Sequence, residues 1–151
     1  MRGDTAESRD PSDYPYVVEY QIRLADADAM GIVHHSRYLP YLEEARAGWV
    51  CEVGGKENLE ELGIVAPVVE LQMRYLQPAR PRDFILVHLR CSAVTAAKLT
   101  FSYLVQRRQD RVPLLLGSTT HGFLEPLSAR PQRVPAWLTD ALTQIGALPK
   151  G

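Results

Sequence analysis

The chain has 151 residues, a length typical of one domain, and 46% of them are hydrophobic and 23% charged. Its formal net charge of −1 gives little long-range attraction for nucleic acid or for an anionic membrane, so neither is an expected partner. Cys51 and Cys91 lack a paired metal-ligand spacing, and Met1–Ser12 lacks an apolar signal segment, so we expect reduced thiols in a cytoplasmic protein.

The chain begins with a polar stretch, and we predict that residues 1–13 form a disordered tail. Valine, tyrosine and isoleucine then dominate residues 16–24, which predicts a first strand. The loop that follows, residues 25–35, contains two aspartates, a glycine and two histidines.

A long helix is predicted from about Tyr38 to Val53, because its apolar residues recur at helical spacing. Gly54-Gly55 ends the helix, since a glycine readily takes the left-handed conformation of a C-terminal cap. Pro40 is compatible only with the first turn, so the start of the helix is open by several residues. The apolar positions are 38, 41, 42, 45, 49, 50 and 53.

Four strand-like runs follow the helix, and their alternating apolar residues are typical of an antiparallel sheet packed on one face. A second, shorter helix is predicted near residues 135–146. The order of elements predicts an α+β fold in which one long helix covers a curved antiparallel sheet of about five strands. Residues 14–151 then form a single domain. The four runs are 68–75, 85–91, 99–105 and 112–124.

The loop before the long helix carries the candidate chemistry. A carboxylate such as Asp28 can activate water, and an imidazole such as His35 beside a helix start can assist it. Asp28 could equally cap a turn, and His35 could be a surface or interface histidine. We expect Asp26 to be structural and His34 to point away from His35, its sequence neighbour.

The segment Asp26 to Arg46 reads Asp-x-Asp-x-x-Gly-Ile-Val-x-His-x-x-Tyr-x-x-Tyr-Leu-Glu-Glu-Ala-Arg. It resembles the signature of hotdog-fold acyl-CoA thioesterases of the 4-hydroxybenzoyl-CoA thioesterase type, and the resemblance covers roughly residues 16–125. It implies a hotdog fold, in which a curved antiparallel sheet wraps a long helix. It also implies at least a homodimer, with a homotetramer as the alternative, and active sites between subunits. The implied substrate is an acyl or aroyl thioester of coenzyme A, with no metal and no cofactor apart from the coenzyme A of the substrate.

The resemblance also implies roles for individual residues. Asp28 corresponds to the catalytic carboxylate, acting as general base or nucleophile, and His35 to a second catalytic residue. The oxyanion donor is expected at the helix start, near His35 or Ser36. Some relatives place a tyrosine four residues before the catalytic acid, where this chain has Leu24.

Further substrate-binding candidates are Gly31, Ser36, Tyr38 and Lys98. Gly31 would allow a backbone shape or close approach that a side chain would block. Tyr38 fits the core or a dimer contact, and also the wall of an acyl pocket. Lys98 is our first candidate for the coenzyme A phosphates, which need compensating positive charge.

Two other functions fit the same fold. A non-catalytic acyl-CoA sensor would bind the thioester without turnover. An acyl-thioester hydratase or dehydratase would use a catalytic histidine ahead of its acid, whereas here the acid comes first, so we disfavour it.

Overall fold

The computed structural model describes residues 8–148, which form two helices and seven strands with short 3-10 turns between them. No helix in this range is long and apolar enough to cross a membrane. The strands are β1 (Tyr16–Gln21), β2 (Val68–Tyr75), β3 (Phe84–Val94), β4 (Leu99–Arg107), β5 (Pro113–His121), β6 (Phe123–Leu124) and β7 (Pro131–Gln132), and the helices are α1 (Tyr38–Gly54) and α2 (Ala136–Gln144).

Five of the strands form one antiparallel sheet in the order β1-β3-β4-β5-β2, so β1 and β2 are its edges. The long helix α1 packs on one face of this sheet. The α+β prediction of one long helix against a five-stranded antiparallel sheet is confirmed. The strands β6 and β7 form a separate two-stranded ribbon.

Helix α1 is held by its apolar stripe rather than by capping, since no side chain caps its N-terminus. Each large apolar side chain buried in this way contributes about 1.5–3 kcal/mol. Pro40 lies in the first turn, where the missing N–H has no intrahelical partner to lose. Gly55 is the left-handed C-terminal cap, as predicted, with φ of 70°. The buried residues of the stripe are Tyr38, Tyr41, Leu42, Ala45, Trp49, Val50 and Cys51.

The outer face of the sheet is partly covered by the segment that precedes β1. Tyr14 packs against Leu104 and Leu116, which are almost fully buried although they face away from α1. Of the tail predicted for residues 1–13, residues 1–7 lie outside the described residues. Pro11–Asp13 form a 3-10 turn, and the Tyr14 hydroxyl donates a hydrogen bond to the Ser8 carbonyl oxygen.

Four of the five predicted strands have different bounds in the structure, and the runs 85–91 and 99–105 extend to Phe84–Val94 and Leu99–Arg107. The first strand ends at Gln21 rather than at residue 24, because Leu24–Asp26 turn into a short 3-10 helix. The predicted run 112–124 is interrupted at Gly122, after which Phe123–Leu124 leave the large sheet and pair with β7.

Candidate active site

Asp28 lies in an open cleft of about 380 Å³ at the junction of three elements. The loop after β1, the start of α1 and the chain just after β2 all contribute to its walls. The order of the strands in the sheet therefore brings together residues as far apart in sequence as Asp28 and Pro78. The principal lining residues are Asp28, His34, His35, Tyr38, Tyr75 and Pro78.

The Asp28 carboxylate is positioned by a tight turn. Its Oδ1 accepts a hydrogen bond from the Met30 amide at 2.8 Å, and its own amide donates to the Ile32 carbonyl oxygen at 2.8 Å. Gly31 completes the turn with φ of 78°, a left-handed conformation that costs other residues energy. A Cβ added at Gly31 would meet no atom within 4 Å, so backbone shape rather than close approach explains the glycine.

Asp26 connects the loop to helix α1. Its carboxylate accepts a hydrogen bond from the Tyr41 hydroxyl on α1, and its carbonyl oxygen accepts from the His34 amide at 3.1 Å. The Tyr41 oxygen in turn accepts from the Arg23 amide at 3.1 Å. Burial and the bond to Asp26 both raise the pKa of Tyr41. These contacts fit the structural role expected for Asp26, although its carboxylate meets a phenol rather than loop amides.

His34 and His35 both line the cleft, with ring centroids 4.1 Å apart. The expectation that His34 points away from His35 is therefore wrong. His34 has an extended backbone and caps the 3-10 turn that His35 begins, so the chain bends between them and both rings reach the same side. The Nδ1 of His34 accepts a hydrogen bond from the Ser36 amide and lies 2.8 Å from the Ser36 hydroxyl oxygen.

The turn His35–Arg37 leads directly into α1, so its first amides lie at the start of one continuous helical segment. The Ser36 amide is occupied by His34, whereas no acceptor for the His35 amide is found among residues 8–148. Of the two amides considered from the sequence, the His35 amide is therefore the one without a hydrogen-bond acceptor in the described part of the chain.

Tyr75 is a component of the cleft that the sequence did not indicate. Its hydroxyl donates to the His35 carbonyl oxygen at 2.8 Å, and its ring lies 6.2 Å from that of His35 and 5.7 Å from that of Tyr38. The available signal was its place as the last apolar residue in the alternation of β2. That alternation predicts the face on which Tyr75 lies but not which loop it meets.

Tyr38 is buried and forms the inner wall of the cleft. Its hydroxyl oxygen accepts a hydrogen bond from the Ala79 amide at 3.1 Å, and burial raises its pKa. The Tyr38 ring thus contributes shape to the site, while its hydroxyl fixes the chain that follows β2.

The structure does not bring Lys98 to this cleft. Lys98 lies in the turn between β3 and β4, and that turn is at the opposite end of the sheet from the loop that carries Asp28. About eight strand residues separate the two ends, which corresponds to roughly 26 Å. Two arginines nearer the cleft are already engaged: Arg107 pairs with Asp83 and Asp110, and Arg108 pairs with Glu19.

Within residues 8–148, no cluster of three or more histidine, cysteine, aspartate or glutamate side chains is placed to hold a metal ion. The cleft is lined by a carboxylate and two imidazoles, and the amide of His35 lies at the start of the helical segment. Together these groups can activate water and stabilise a developing oxyanion.

A sequence model of the thioesterase-like superfamily matches residues 22–142, and the chain belongs to this family. The chain is 30% identical over 109 residues to an acyl-CoA thioesterase of Haemophilus influenzae, covering 71% of this chain and 74% of that protein. It is 28% identical over 132 residues to a 1,4-dihydroxy-2-naphthoyl-CoA hydrolase of Thermosynechococcus vestitus, covering 82% and 89% of the two chains. The crystal structure of a hypothetical protein from Thermus thermophilus is similar with a TM-score of 0.76 and 34% identity, covering 85% of this chain and 98% of that one.

Proposed function

We propose that this protein hydrolyses acyl-CoA thioesters to the free acid and coenzyme A, with Asp28 as the catalytic carboxylate. Membership of the thioesterase-like superfamily supports a thioester hydrolase, and two of the relatives bear the names of CoA-thioester hydrolases. The observation that carries the proposal is the position of Asp28, which lines the cleft together with His35 at the start of the helical segment.

Asp28 has two chemically balanced ways to act. As a general base it takes a proton from water while the water oxygen bonds to the thioester carbon, after which the C–S bond breaks and the departing thiolate is protonated. As a nucleophile its carboxylate displaces the thiolate and forms a mixed anhydride, which water then hydrolyses. Its Oδ1 is held by the Met30 amide in either case, so the second oxygen is the reactive one.

We assign the open amide of His35 as the donor to the thioester oxygen. A helix start favours negative charge, and donors of this type have been worth about 2.7–4 kcal/mol in another enzyme. Tyr75 supports this amide by holding the carbonyl oxygen of the same residue. The imidazole of His35 lines the same cleft, where it orients the water or contacts the thioester.

Two kinds of aromatic acyl group are candidates. One is the aroyl group implied by the resemblance to 4-hydroxybenzoyl-CoA thioesterases, and the other is the dihydroxynaphthoyl group for which a relative is named. We propose that coenzyme A takes part only as a portion of the substrate and that no separate cofactor is needed.

We further propose that the protein is at least a homodimer formed through β2. This strand pairs only with β5, so its other edge is unpaired among the described strands. The strand exposes Val68, Val69 and Leu71 at 44%, 54% and 45%, whereas solvent-exposed edges usually carry charges that prevent pairing. A second copy of the same strand would cover this surface.

A panel of acyl-CoA thioesters, with detection of the free thiol, tests the proposed function. Release of coenzyme A from at least one class of thioester is expected. Tight calorimetric binding of acyl-CoA without thiol release would instead indicate a non-catalytic sensor.

A further inference from the structure

A second cavity, of about 300 Å³, lies between α1 and β2. It continues the line of contact between these two elements, here called the seam, along which the Asp28 cleft also lies. Leu39 lines this cavity and the adjacent Tyr38 lines the cleft, while Leu71 and Tyr75 of β2 alternate on one face of the strand. Arg46, at the far end, is eight helical residues from Tyr38, a span of about 12 Å. The seam is therefore long enough to hold an acyl group that extends away from the thioester.

Thr119 and Arg46, which line this cavity, belong to a chain of hydrogen bonds whose direction can be deduced. Burial lowers the pKa of His121, so its imidazole is neutral, and the ring nitrogen facing the Ala66 carbonyl oxygen must carry the hydrogen. The other nitrogen then accepts from the Thr119 hydroxyl at 2.9 Å. Thr119 in turn accepts from Tyr103 at 2.7 Å, and Tyr103 accepts from Arg46 at 3.1 Å. The hydroxyl hydrogens of Thr119 and Tyr103 are therefore both used within this series of hydrogen bonds, and neither hydroxyl can donate to a ligand.

Among the side chains that line the cavity, the remaining donors belong to the guanidinium of Arg46. This group makes a single hydrogen bond, to the neutral Tyr103, and no ion pair with a carboxylate in the part of the chain that the structure describes. Arg46 is half-buried, whereas Glu43, one turn earlier, is exposed at the rim. A positive charge in this setting is best compensated by an anionic acceptor, because arginine binds carboxylates through two parallel hydrogen bonds.

We propose that the α1–β2 cavity binds the far end of the acyl group and that Arg46 selects acyl groups that end in a carboxylate. The class of substrate is therefore the monothioester of a dicarboxylic acid. This inference rests on the proposed thioester hydrolase function and names its acyl group. The apolar side chains of Leu39, Leu42 and Leu71 contact the methylene chain, and Arg46 pairs with the terminal carboxylate.

The test compares ω-carboxyacyl-CoA thioesters with plain straight-chain acyl-CoA thioesters of the same length. The wild-type protein should show the higher kcat/KM for the ω-carboxy member at the length that spans the seam. Arg46→Met should reduce the ratio of the two kcat/KM values by roughly 10- to 100-fold, because a hydrogen-bonded charge pair is lost. Arg46→Lys should retain part of the preference. Arg108→Met should leave the ratio unchanged, because Arg108 pairs with Glu19 on β1, at the sheet edge opposite β2.

Three results would overturn the inference while leaving the hydrolase function intact. These are equal kcat/KM values for the two thioesters in the wild type, a preference for an ω-hydroxy chain, or a carboxylate preference that survives Arg46→Met. If Arg46→Met does not fold, the wild-type preference decides the question.

Calorimetry of the free acids separates this inference from the function on which it rests. The wild type should bind a dicarboxylate more tightly than the monocarboxylate of the same length, whether or not any thioester is hydrolysed. Failure of all thioesters with retained dicarboxylate binding would reject the enzyme and keep the subsite. Equal binding of the two acids would reject the subsite.

Discussion

The hydroxyl of Tyr75 donates a hydrogen bond to the backbone carbonyl oxygen of His35 at 2.8 Å, which ties the end of β2 to the start of the helical segment. This hydrogen bond fixes the peptide unit that follows His35, next to the peptide unit whose amide we assign to the oxyanion. It also makes the geometry of the cleft depend on the edge strand that we propose as the dimer interface.

Tyr75→Phe removes this hydrogen bond and keeps the ring. Loss of one such bond costs about 1 kcal/mol, so we expect a several-fold decrease in kcat, with a change in melting temperature of only a few degrees. Steady-state kinetics on the thioesters that the wild type hydrolyses measures the effect. Tyr16→Phe is the control, because that ring stacks on Trp49 away from the cleft. Equal kcat values for Tyr75→Phe and Tyr16→Phe would argue against a role for the hydrogen bond between Tyr75 and His35.

Gly31→Ala should destabilise the protein by about 1–2 kcal/mol, because φ of 78° is unfavourable for a residue with a Cβ. Activity should fall as well, since the same turn positions the Asp28 carboxylate. Gly31→Asn is the matched variant, because asparagine tolerates the left-handed region better than alanine. Chemical denaturation and steady-state kinetics of both variants measure the effect. Stability and activity should both decrease in the order wild type, Gly31→Asn, Gly31→Ala. An alanine variant as stable as the wild type would contradict the assignment.

Val69→Lys places a charge on the exposed edge strand β2 and should convert the proposed dimer to a monomer. Light scattering coupled to size-exclusion chromatography measures the mass. Val17→Lys is matched in exposure, at 52% against 54%, but lies on β1 at the opposite edge of the sheet. The dimer proposal fails if Val69→Lys leaves the mass unchanged or if Val17→Lys dissociates the protein equally.

Stability should decrease as the solution is made acidic. Burial lowers the pKa of both His88 and His121 from the usual 6.5, so below that pH the unfolded chain takes up protons that the folded chain does not. The contribution of the two histidines to the free energy of unfolding should be constant above about pH 6.5 and should fall below it, by at most about 1.4 kcal/mol per pH unit for each histidine. Urea unfolding of the wild type and of His88→Gln measures the slope. An identical slope in the two proteins would exclude His88 as a contributor.

The sequence was most informative where local pattern and burial agree. The stripe of α1 and the glycine pair after it predicted the helix and its left-handed cap, and the alternation of β2 predicted both of its ends. The first strand was predicted too long because the Leu24–Asp26 turn is made by tertiary contacts, including the hydrogen bond between Asp26 and Tyr41.

In the candidate site, too, the residues of a local motif could be predicted and those placed by tertiary structure could not. Asp28 and His35 could be named from one contiguous motif, and the structure places both in one cleft. Tyr75 and Arg46 were not named as site residues because their surroundings depend on the order of strands in the sheet. Lys98 was chosen for charge alone, and the sheet places it far from the cleft. Spacing along the chain carries no information on such distances.

The role of Asp28 is tested by the steady-state hydrolysis rate of Asp28→Asn on a thioester that the wild type hydrolyses, compared with that of Asp26→Asn. We expect Asp28→Asn to keep the wild-type melting temperature and to lose about 100- to 10,000-fold in kcat, as expected for removal of a general base. Asp26→Asn should mainly lower the melting temperature, because a neutral amide oxygen accepts the hydrogen bond from the Tyr41 hydroxyl more weakly than a carboxylate does. A folded Asp28→Asn protein with wild-type kcat would contradict the central claim.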